Sequence, residues 1–76
     1  MEKDLEKYYN NRFDLFTSNG WRDLIEDVKI MRDNYADIKT INDEKHLNLR
    51  KGQLDILDWM LDLENLSNLT YKELQE

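Results

Sequence analysis

The sequence predicts an all-α protein: a short N-terminal helix, then an antiparallel hairpin of two longer helices, with the hairpins assembling into a bundle. Three observations lead there. Apolar residues recur at intervals of three and four through most of the chain, the spacing that lines one face of a helix. There is no proline, and only two glycines interrupt 76 residues, so few positions forbid helix. Two short polar stretches, Thr17-Ser18-Asn19-Gly20 and Thr40 to Glu44, carry the residues that start and stop helices.

The first helix is expected over residues 4–16. Leu5, Tyr8, Tyr9, Arg12, Leu15 and Phe16 gather on one side, and Glu2, Asp4 and Glu6 place acid near the positive end of the helix dipole. At about three turns it is marginal unless docked. The following break offers two local solutions: Gly20 in the left-handed conformation closing the first helix, or Ser18 or Asn19 capping the second.

The second helix is expected over residues 21–39. Trp21, Leu24, Val28, Met31, Tyr35 and Ile38 are spaced 3, 4, 3, 4, 3, a heptad seam of two alternating positions. Fewer than three heptads suit a helical hairpin better than an extended coiled coil. Trp21 and Tyr35 are read as core.

The third helix, expected over residues 43–66, follows a short connection, which makes it the antiparallel neighbour of the second. Asn42 or Asp43 supplies the N-cap. Advancing about 100° per residue, Leu47, Leu54, Leu57 and Leu61 form one apolar stripe. Leu49, Ile56, Met60 and Leu63 form another, well over a quarter-turn away. A surface helix ordinarily carries one stripe, so this helix needs more than one neighbour. Leu49, Ile56, Trp59, Met60 and Leu63 are therefore the candidate interface, covered by the first helix, by a second copy of the chain, or by both. Gly52, inside the pattern, suggests close approach of another helix. Arg50, on the seam side, is a candidate structural ion-pair partner for Glu26, Asp33 or Asp37. Ser67 or Thr70 is expected to cap a separate C-terminal turn over residues 70–75, where Thr70 and Glu73 have capping-box spacing.

Charged residues make up 37% of the chain, a composition shared with disordered segments. The aromatic and branched residues at helical spacing favour a folded chain instead. The net charge of −6 argues against direct nucleic-acid binding. The absence of cysteine excludes disulfides, thiolate metal sites and cysteine nucleophiles. No apolar run approaches a membrane span, and the charged N-terminus does not read as an export signal.

No chemistry-bearing constellation emerges. His46, the single histidine, lacks the companions a zinc site needs and reads as an exposed residue at a helix start. Asp55, Asp58 and Asp62 line one face without the Glu-x-x-His pairs of di-metal bundles. Neither Ser18 nor Ser67 lies in a nucleophile-elbow context, and there is no glycine-rich phosphate loop. The expectation is a protein without catalytic residues, metal or cofactor.

GWRDLIEDV at residues 20–28 and LRKGQLDILDWMLDLENL at residues 49–66 resemble short uncharacterised helical proteins of tailed bacteriophages, over about Tyr8 to Leu66. The resemblance implies a small phage accessory or structural protein, residing in the host cytoplasm or the virion, and it carries no catalytic residue across. Together these readings predict a non-enzymatic protein-interaction module. It would act through helix faces, form a homodimer or higher homo-oligomer, and engage a phage or host protein, with no membrane contact. The alternative is an acidic inhibitor of a host nucleic-acid enzyme.

Overall fold

The computed structural model describes residues 2–75. Among them are three α-helices, α1 (Lys3–Phe16), α2 (Asn19–Tyr35) and α3 (Glu44–Gln75), with a 3-10 turn at Ile38–Thr40 and no strand. The 32 residues of α3 rise about 48 Å at 1.5 Å each, close to the 49 Å long dimension of the molecule. α3 is thus a spine, and the other two helices lie along it in series. Arg32, late in α2, meets Asp58, while Arg50 reaches Tyr35 at the α2 terminus. α2 therefore runs antiparallel to the first half of α3. Tyr9 and Phe13 of α1 stack on Tyr71 with ring centroids 5.6 and 5.3 Å apart, and Arg12 lies 3.5 Å from Ser67. α1 covers the second half in the same sense.

The helix boundaries follow from local chemistry. Ser18 is the N-cap of α2; its Oγ accepts from the Trp21 N–H at 3.1 Å. Gly20 lies within the first turn of α2 and has no positive φ, so the helix start is set by the serine and not by a glycine stop. α2 stops at Tyr35, short of the expected residue 39. Asp37 has extended backbone and its carboxylate accepts from the Lys39 N–H at 3.0 Å, a local turn that competes with helix continuation. Asp43 caps α3 by accepting from the His46 N–H at 2.7 Å.

α3 differs most from expectation. Instead of ending at Leu66 with a separate turn over residues 70–75, it continues unbroken to Gln75. Ser67 is only 3% exposed beneath α1, so it serves as a small residue at a helix crossing and not as a cap. Tyr71, one turn beyond it, is held between the rings of Tyr9 and Phe13. That packing outweighs the weak capping preference of Thr70.

The core is a single line where the helices meet: Tyr9, Phe16, Trp21, Val28 and Leu57. Phe16 and Trp21, 5.2 Å apart, bridge the break between α1 and α2. Half of the α2 heptad seam is in this line and half is not. Trp21 and Val28 are buried and Tyr35 is half-buried, whereas Leu24 and Met31 are exposed and Ile38, beyond the helix end, is 77% exposed. One facing helix has room for one ridge of side chains, and the flanking ridge is left over. No side chain among the described residues is fully buried.

Gly52 does not mark a close approach. A Cβ built there meets nothing within 4 Å. Gly52→Ala should accordingly raise stability by about 0.5–1 kcal/mol, and Asp43→Ala should lower it by about 1 kcal/mol through loss of the cap. Both are read from urea unfolding midpoints.

Candidate functional site

Most apolar side chains that the core leaves out fall on one side of the molecule. Arg32 of α2 and Asp58 of α3 form an ion pair at 2.9 Å and so mark one side of the α2–α3 seam. Turning 100° per residue from the buried line, Leu24 and Met31 of α2 project to the opposite side. Leu49 and Ile56 of α3 project there too, as do Tyr8 and Leu15 of α1. All six are exposed. At the α1 end the same side carries an open groove of about 270 Å³ between α1 and α3. Its lining includes Tyr9, Arg12, Trp59, Leu63, Leu66 and Thr70, with Arg12 the one charged residue.

The opposite side is built differently. A second open groove, lined by Phe16, Trp21, Arg22, Ile25, Glu26, Lys29 and Glu64, has four charged residues of seven. Lys29 pairs with Glu26 at 3.4 Å. The hydrogen bond to Asp58, and then its charge, raises the pKa of Arg32 above the ordinary arginine value. These exposed pairs keep that side hydrated and contribute little to stability. The molecule is a slab, 26 Å wide and 16 Å thick, with one apolar and one charged broad face.

The candidate interface divides accordingly. Leu49 and Ile56 are each 62% exposed and Trp59 is 52% exposed. Leu63, in the groove beside α1, is half-buried, as is Met60. α1 therefore covers only the C-terminal end of the second α3 stripe. Tyr8, Leu15, Leu24, Met31 and Leu66 belong to the same face but were not among the expected interface residues. Leu24 and Met31 belong to the heptad seam of α2 by spacing. The available signal was numerical: a seam six residues long on α2 and two stripes on α3 exceed what two helices bury against each other.

Arg50 reaches no carboxylate on α2. Its Nη1 donates to the Tyr35 carbonyl at 3.0 Å and to Thr40 Oγ1 at 2.8 Å, and its Nη2 lies 3.1 Å from His46 Nε2. The guanidinium also sits 5.0 Å from the Tyr35 ring centroid. A cation placed on a terminal carbonyl satisfies an orphan acceptor and complements the helix dipole. His46 is thereby tied into the α2–α3 connection, half-buried and not exposed as expected. Arg12 has a related role at the other end: it lies over Tyr8, 4.7 Å from the ring centroid, donates to the Tyr8 hydroxyl and reaches Ser67.

Among the described residues no three His, Asp or Glu side chains converge as metal ligands, and no helix is long and apolar enough to cross a membrane. Comparison with known protein families, curated proteins and solved structures gave no match.

The Arg50 contacts yield a direct test. Arg50→Met keeps the aliphatic stem but strips the Tyr35 and Thr40 oxygens of their donor, so it should lower stability by about 1–2 kcal/mol. For a domain of this size each kcal/mol moves the melting temperature by roughly 4–8 °C, measurable by circular dichroism.

Proposed function

We propose that the protein is a non-enzymatic protein-interaction module that works through its apolar broad face. One observation carries the reading. In a chain of 76 residues with a net charge of −6, Tyr8, Leu15, Leu24, Met31, Leu49 and Ile56 stand exposed on one side, with Trp59 and Leu66 at its edge in the groove beside α1. Isolated exposed apolar residues are ordinary, but a contiguous group rimmed by polar ones is a feature of interaction surfaces. Trp and Tyr within it are the residue types that most often anchor such contacts. Within this reading, the phage origin expected from the sequence would make it an accessory or structural protein, in the virion or the host cytoplasm.

The acidic-inhibitor alternative has less support. A surface standing in for DNA phosphates needs acids gathered together, whereas here they are spread over all three helices and interleaved with Lys and Arg, with Asp58 and Glu26 paired to Arg32 and Lys29.

Mass spectrometry of purified virions and affinity capture from infected cells, run with matched variants, test the proposal. Partners retained by the wild type should be lost with Leu49→Glu/Ile56→Glu and kept with Lys51→Glu. Loss of partners with Asp55→Lys/Asp62→Lys but not with the apolar-face variant would reverse the assignment in favour of the acidic surface.

A further inference from the structure

We infer that the apolar face is covered by a second copy of the same chain, laid face to face. The inference rests on that face being an interaction surface and names its occupant.

Area is the first argument. A compact monomer of 9.3 kDa exposes about 5,000 Å², whereas this chain exposes 6132 Å². The surplus, about 1,100 Å², is on the scale of the 800 Å² or so that each partner contributes to a stable interface. A two-fold contact between these faces would bring the exposed area per chain to that of a compact protein. It would also turn a core one side chain deep into the interior of a two-layered bundle, four helices in cross-section.

Charge is the second argument. Two chains that each carry −6 repel unless their contact surfaces are kept nearly free of charge. In the groove on this face Arg12 is the single charged residue. The groove on the other face holds Arg22, Glu26, Lys29 and Glu64. The apolar face is not free of charge, since Asp27 lies between Leu24 and Met31, but it carries far less than the opposite face, whose charged groups point outward and disfavour further stacking. The assembly closes at two, as an isologous contact does. Both copies would bring the same open groove beside Trp59, so each chain offers a large side chain and a recess to receive one.

The absence of cysteine makes the geometry testable by single substitution. Light scattering on the wild type at tens of micromolar should give twice 9.3 kDa. Ile56→Cys and Trp59→Cys should form covalent dimers with a short bismaleimide, and Lys51→Cys, on the charged side, should not. Leu49→Glu/Ile56→Glu should halve the mass; if that variant loses its helical circular dichroism, the cysteine series on otherwise native chains decides. A wild type that is monomeric overturns the inference, whether or not it sediments with phosphatidylcholine vesicles. A covalent dimer through Lys51→Cys and not through Ile56→Cys or Trp59→Cys also overturns it. A monomer that still loses its captured partners on Leu49→Glu/Ile56→Glu overturns the second copy alone and leaves the interaction module standing. Capture insensitive to those substitutions removes the module reading as well.

Discussion

Everything in this structure depends on α3 being asked to serve two helices that lie end to end along it. α1 and α2 each contact one half of the spine, through Tyr9, Phe13 and Tyr71 at one end and through Val28, Leu57 and Arg50 at the other. Because the two are in series and not stacked, the molecule never acquires a third layer. A helix of 32 residues with two apolar stripes can then satisfy within the chain the stripe toward α2 and only the C-terminal end of the other.

The polar chemistry is arranged to hold this thin seam in register. The break between α1 and α2 is fixed by Ser18 from the backbone side and by the Phe16–Trp21 ring contact from the core side. The α2–α3 connection is fixed by Arg50, which gathers the end of α2, Thr40 and His46 around one guanidinium. Such contacts are individually modest, but they set the helices at the angles that bring the leftover side chains to one face. The exposed ion pairs add hydration and solubility on the other face, more than stability.

Much of this was legible in the residues. Helix existence and order follow from the three-four spacing, and both caps follow from residue chemistry: Ser18 and Asp43 were each among two candidates at their breaks. The Leu47, Leu54, Leu57, Leu61 stripe lies toward α2, with Leu57 buried and the rest half-buried. What local rules could not supply is decided by contacts between distant segments. Ser67 and Thr70 carry helix-start chemistry, yet the helix runs through them because Tyr71 finds Tyr9 and Phe13, some sixty residues earlier. Arg50 does not meet the expected carboxylate but donates to the backbone carbonyl that the end of α2 leaves without a helical partner. Leu24 and Met31 share their heptad pattern with buried residues, and periodicity does not reveal how many partner helices are present to bury them.

The central claim is that the apolar face is part of the folded interior of a two-chain unit. Its most direct test is the urea unfolding midpoint measured across a hundredfold range of protein concentration. For a chain whose partner is its own copy, mass action adds about 2.7 kcal/mol of stability per two-chain unit for a hundredfold rise, and the midpoint should climb accordingly. A midpoint that stays fixed over that range would contradict the account.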